Sequence, residues 1–192
     1  MSKIFFTALT AVFFANAAVR AQIVAVTNIA APTGLKAVPM TDAPAPTNTI
    51  TLKVVKADSE ETAGENGQAA NAVDGDTNTL WHTQWQDNSP ACPHEIIIQL
   101  SAAATIKGFT YLPRQDESDH GQIKGYEFFT SDDGKEFGEA VKKGEFTNAA
   151  DKEKKTVTFE PRKCRFIKLR AVSEINGEAW TTAAEIGVVP AE

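Results

Sequence analysis

The chain has 192 residues and a formal net charge of −6, with 42% hydrophobic and 23% charged residues. These are ordinary values for one folded globular domain with some additional chain. The acidic balance argues against nucleic acid, which needs a basic patch or stripe, and disfavours polyanions such as heparin.

The N-terminus has the layout of a cleaved export signal. Met1–Lys3 is a short basic region, residues 4–19 are mostly apolar and uncharged, and Val19-Arg20-Ala21 precedes a plausible cleavage point. The apolar run is short for a membrane span and Asn16 interrupts it. No cysteine follows it, so a lipoprotein anchor has no attachment residue there. Removal of residues 1–21 takes away Lys3 and Arg20 and no acid, so the charge becomes −8. The expected location is therefore secreted, periplasmic or cell-surface, without stable membrane insertion. Residues 22–49 are rich in Ala, Thr, Pro and Val, including Pro32, Pro39, Pro44 and Pro46. That composition favours an extended spacer.

From residue 50 to 190 the texture changes to short runs of alternating apolar residues broken by Gly, Asp, Asn and Pro. The pattern predicts strands over Thr51–Val55, Glu95–Leu100, Ile106–Leu112, Gly125–Thr130, Lys155–Phe159, Arg165–Ala171 and Glu185–Val189. Ile167, Leu169 and Ala171 share one face, and Ile96, Ile98 and Leu100 repeat the pattern. Gln68–Val73 is the one helical candidate. Many short strands separated by turns predict an all-β sandwich or jelly roll. A domain of this size does not need staples to fold. Cys92 and Cys164 could form one disulfide in an exported chain or remain two buried thiols.

Three constellations carry possible chemistry. In residues 71–79, Asp74, Gly75, Asp76 and Thr79 could turn oxygens toward a hard cation, or Asp74 and Asp76 could serve the turn's own hydrogen bonds. The spacing lacks the twelve-residue loop and closing Glu of an EF-hand. In Trp81-His82-Thr83-Gln84-Trp85, an indole face suits the C–H face of a sugar ring and the imidazole a hydroxyl. Trp81 is expected inside and Trp85 outside. After a predicted strand, Arg114 could grip paired hydroxyls or a carboxylate, or pair with Asp116 or Asp119. No nucleophile elbow or phosphate loop is present. His82, His94 and His120 are too scattered to argue for zinc, and His94 reads as structural. The chain is expected to have no catalytic residues.

Taken in order, Asp58–Asn66, NAVDGDTNTLWHTQW, PHEIIIQL, GFTYLPRQD, GQIKGYEFFTSDDG and CRFIKLRAVSEINGEAWTTAAEI resemble a discoidin, or factor V/VIII C-type, domain. The nearest branch is carbohydrate-binding module family 32, with similarity to the N-terminal sugar-binding domain of galactose oxidase. The resemblance implies a galactose-binding-domain-like jelly roll and non-catalytic binding of galactose or a related terminal sugar on glycans. It implies a structural Ca2+ held by Asn71, Asp74, Asp76, Thr79, Ala184 and Glu185. It implies a sugar pocket of Glu65, His82, Trp85 and Arg114, with His120 as the candidate from the variable loop. Trp180 matches a largely structural tryptophan. A separate glycoside hydrolase is a possible partner. The alternative is a protein- or membrane-adhesion discoidin module without sugar binding.

Overall fold

The computed structural model of the protein describes residues 49–191. The expected leader, and the expected spacer up to residue 48, lie outside that range. Eight strands form within it: β1 (Leu52–Ala57), β2 (Trp81–His82), β3 (His94–Leu112), β4 (Ile123–Ser131), β5 (Lys142–Glu145), β6 (Lys155–Glu174), β7 (Thr182–Ala183) and β8 (Glu185–Pro190). The predicted helical stretch is a single 3-10 turn, Ala69–Val73.

All pairings between these strands are antiparallel, and the main sheet runs β1-β3-β6-β4-β5 with β8 also on β3. Two long strands organise it. Sequence alternation predicts two strands within residues 95–112 and two within 155–171, but each pair is one continuous strand, of 19 and 20 residues. The apolar alternation lapses at Ser101–Ala103 and Glu160–Lys163, which are exposed, while the backbone stays extended. There the β3–β6 register slips, passing from Gln99↔Phe166 to Ala104↔Cys164. Such an irregularity bends the ribbon.

Before the bend, β3 lies between β1 and the second half of β6; beyond it, β3 lies between β8 and the first half of β6. The two halves thus belong to two layers of a sandwich. Phe109 of β3 stacks on Phe128 of β4 at 4.3 Å with planes 3° apart, and both are fully buried. Tyr126 and Tyr111 pack on Phe146 at 4.5 and 5.3 Å. Ile96, Ile98, Leu100, Ile167 and Leu169 fill the rest of the core, as their period-two spacing predicts. Each such side chain contributes about 1.5–3 kcal/mol of burial.

β5 (Lys-Lys-Gly-Glu) is exposed throughout and the short strands β2 and β7 have two residues each, so no alternation announces any of them. Cys92 is half-buried and Cys164 buried, and both are free thiols, which settles the open choice between disulfide and thiols.

Candidate functional site

Four connecting segments converge beside the β2–β7 pair. β2 sets Trp81 opposite Ala183 and His82 opposite Thr182. Trp81 is buried, as expected, and its Nε1–H donates to the Ser59 carbonyl at 2.8 Å. The Tyr111 hydroxyl donates to the Thr182 carbonyl and accepts from the Ile123 amide, both at 3.0 Å. Burial raises its pKa far above that of an ordinary phenol.

Glu61 is the main fastener of this region. Its carboxylate is shielded from solvent and accepts backbone N–H groups of Ala63, Gly64, Trp85 and Gln86 at 2.7–2.9 Å. The amides of Gly64, Gln86 and Trp85 hold its pKa down at about 2, because each favours the ionised form. One side chain thereby locks the loop carrying Glu65 to the loop carrying Trp85. Sequence reading missed Glu61, since Glu60, Glu61 and Glu65 share one polar loop and no period marks which is buried. Glu174 plays a similar part on the far side. It accepts the amides of Gly121 at 3.1 Å, Asn176 at 2.6 Å and Glu178 at 3.1 Å.

The fastened loops enclose an open cavity of about 270 Å³. Glu65, His82, Trp85, Arg114 and His120, the five predicted sugar residues, all line it, and Ser118 and Trp180 join them. Trp85 is 40% exposed, so its indole face is available. Its Nε1–H donates to Glu65 at 2.9 Å. The buried His82 Nδ1–H donates to the Thr83 carbonyl at 2.6 Å, which leaves Nε2 as an acceptor 4.0 Å from the Glu65 carboxylate. Burial lowers the His82 pKa and keeps the ring neutral.

Arg114, nearly buried, does pair with Asp116, by Nε at 2.7 Å and Nη2 at 2.6 Å, while Nη1 donates to the His120 carbonyl at 3.2 Å. A guanidinium has five N–H groups, so about two remain for a ligand. His120 Nδ1 donates to Glu178 at 2.7 Å, and that bond raises its pKa. Trp180, expected to be structural, lies at the cavity instead. Its ring stands 6.3 Å from His82 and 5.5 Å from His120. The resemblance marks that tryptophan as structural, and nothing in the local sequence singles out Glu178, so neither Trp180 nor Glu178 is among the predicted site residues.

Both ring nitrogens of His94 are engaged. Nδ1 meets Asp58 at 2.8 Å and Nε2 meets the Ala179 carbonyl at 2.8 Å. A carbonyl only accepts, so Nε2 is protonated and cannot act as a base there.

Of the predicted metal residues, Asp74, Asp76, Thr79 and Glu185 are joined through one loop. Thr79 Oγ1 donates to Asp74 at 2.8 Å and to the Asp76 carbonyl at 2.9 Å. Asp74 accepts the Asp76 amide and Asp76 the Asn78 amide, so both carboxylates serve the turn's own hydrogen bonds. Glu185 accepts the Gly75 amide at 2.7 Å and so ties β8 to this loop. Burial, opposed by that amide, raises the Glu185 pKa, and the charge of Asp74 adds to the rise. Asn71 uses its Nδ2 to bind the carbonyls of Asn66 and Leu80, and the Ala184 amide bonds to Leu112. Among the described residues no three His, Cys, Asp or Glu side chains converge as a metal cluster. A cation here would need the Thr79 hydroxyl and backbone carbonyls beside Asp74 and Glu185, a donor set that suits calcium.

The F5/8 type C domain profile matches residues 55–186. The sialidase of Micromonospora viridifaciens is 36% identical over 138 residues, 71% of this chain and 21% of the sialidase. The galactose oxidase of Gibberella zeae is 36% identical over 132 residues, 68% of this chain and 19% of the oxidase. The chain thus spans about a fifth of the length of these curated relatives. Among solved structures, CpGH89CBM32-5 from Clostridium perfringens, in complex with GalNAc-β-1,3-galactose, has a TM-score of 0.64 at 33% identity, covering 72% of this chain and 94% of that one. The family 32 module of C. perfringens NanJ, in complex with galactose, has a TM-score of 0.60 at 31% identity, covering 72% and 92%.

Proposed function

The chain belongs to the F5/8 type C domain family, and from that membership we propose that it binds carbohydrate without turning it over, seating a galactose-type sugar on Trp85. The observation that carries this reading is the single cavity around Glu65, His82, Trp85, Arg114 and His120. A pyranose has one apolar C–H face and a rim of hydroxyls. The exposed indole suits the face. Glu65 and neutral His82 Nε2 accept from hydroxyls, and Arg114 donates to them. Galactose is favoured because the two similar modules were solved with galactose and with GalNAc-β-1,3-galactose. One ring on one indole in an open cavity suggests a Kd of roughly 0.1 to several millimolar.

The same proposal includes a structural Ca2+ on Asp74, Asp76, Thr79 and Glu185 with the Asn71 and Ala184 carbonyls. Its support is the loop geometry: Glu185 bonds the Gly75 amide next to Asp74, and Thr79 Oγ1 bonds Asp74, so carboxylate and hydroxyl oxygens share one loop. The ion would fasten the 71–79 loop to β8. Non-catalytic function is supported by the commitment of His94 to Asp58 and Ala179, and of His82 Nδ1 to Thr83. We further propose export and a role in directing a separate glycoside hydrolase to glycans, in keeping with the sialidase relative. Among the described residues no helix is long and apolar enough to cross a membrane.

A multivalent glycan array probed in calcium buffer, with Trp85→Ala beside the parent, tests the reading. Binding to galactose-terminated glycans, lost in the folded variant, is the expected result. Silence across the array from a folded parent would overturn it in favour of a protein or membrane partner.

A further inference from the structure

Trp85 is exposed, yet its ring is not free to choose a position. Its backbone N–H donates to Glu61 Oε2 at 2.9 Å, and its Nε1–H donates to Glu65 Oε1 at 2.9 Å. The Nε1 edge of the indole continues into Cζ2 and Cη2, and these two atoms lie against Gly64. A Cβ at residue 64 would stand 2.6 Å from Cζ2, 2.7 Å from Cη2 and 2.5 Å from Oε1 of Gln86. Carbon atoms meet at about 3.5–4.0 Å, so no side chain fits at residue 64 while Trp85 keeps its place.

The demand for glycine is one of space alone. The φ of Gly64 is not in the left-handed region and the residue is exposed, so neither backbone strain nor core packing calls for it. Gln86 could yield, since the near atom is the end of a flexible, exposed side chain. Trp85 cannot. Its indole is rigid, and swinging it away from residue 64 breaks the bond to Glu65. The loop cannot withdraw either. Glu61 holds the Gly64 N–H by Oε1 at 2.9 Å while its other oxygen holds Trp85. One carboxylate therefore clamps both sides of the contact.

We infer that Gly64 is a positioning residue: its missing side chain makes the seat on which the Trp85 indole lies, and so sets where a sugar ring stacks. The inference rests on the proposed seating of galactose on Trp85, but the placement of the indole is measurable without sugar.

Nuclear magnetic resonance of the indole N–H groups tests it. The chain has three tryptophans, and their Nε1–H groups have different partners: Ser59 for Trp81, Glu65 for Trp85 and Ser89 for Trp180. Trp85→Phe identifies the Trp85 signal by its loss. In Gly64→Ala that signal should move while those of Trp81 and Trp180 stay in place. Affinity for methyl β-galactoside, followed by calorimetry, should fall about tenfold in the same variant, the scale of one displaced stacking contact. An unmoved Trp85 signal, movement of all three signals, or an unchanged affinity would overturn the role of Gly64 while leaving the sugar site. A folded parent that binds no galactoside would overturn the seating of galactose on Trp85, and the indole signals would still decide whether Gly64 places the ring.

Discussion

Glu61 shows how one buried side chain can govern a binding site it does not enter. Its four amide partners come from both sides of the cavity rim, and its pKa of about 2 lies below the ordinary value of 4.5. The folded state therefore binds fewer protons than the unfolded state between these values. The resulting stability is present in full above about 4.5 and is lost as pH falls toward about 2. Glu61→Gln keeps the shape but turns an NH2 toward backbone donors. The variant should unfold at lower temperature at pH 7, show a shallower loss of stability between pH 5 and 2, and bind galactosides about tenfold more weakly, about one well-placed polar contact. His82 adds a separate acid limit. Burial holds its pKa below 6.5, and protonation of Nε2 removes an acceptor from the cavity. Galactoside affinity, followed by calorimetry, should hold from neutrality down to about pH 6.5 and decline as pH falls through the lowered value.

At the scale of elements, β3 and β6 carry the fold, because each contributes to both layers. Phe109 sits at their junction with β4, fully buried and stacked on Phe128. Phe109→Ala should cost about 3–5 kcal/mol in chemical denaturation, as expected of a large cavity in a packed core. His94, which ties β3 to Asp58 after β1 and to Ala179 in the Trp180 loop, titrates in the opposite sense from Glu61. Burial disfavours the charge on His94, but the bonds to Asp58 and Ala179 outweigh it and raise the pKa above 6.5. Its contribution is full below 6.5 and fades as pH rises through the raised value. His94→Gln should flatten the pH dependence of melting temperature on that alkaline limb.

These elements also show what the sequence makes legible. Ile96, Ile98, Leu100, Ile167 and Leu169 announce a sandwich face through period-two spacing. The bend at residues 100–104 is invisible, since solvent-facing alanines and lysines look like a loop whether or not the backbone pairs. Single residues of the site were legible where chemistry is distinctive, as in the Trp-His-Thr-Gln-Trp segment. Trp180 and Glu61 were not, because their roles depend on loops brought together from residues 61, 85, 120 and 178 in the folded chain.

For the whole molecule, the two free thiols mean that no covalent staple holds the layers together. Melting temperature should therefore be the same with and without a thiol reductant. Calcium should act differently. Saturation at a hundredfold excess over Kd adds about 2.7 kcal/mol to folding, or roughly 8 °C for a domain of this size. Chelator should remove that gain, and Asp74→Ala should no longer respond to calcium. An unchanged melting temperature in the parent would count against the ion.

The two buried carboxylates that pin the cavity loops have one more consequence, and it concerns time. Glu61 and Glu174 accept the backbone amides of those loops, so the rim is assembled before any sugar arrives. Little ordering remains to be done on contact. Mixing experiments should show one fast exponential with a rate linear in sugar concentration, and the weakness of a single galactoside should lie in how soon it leaves.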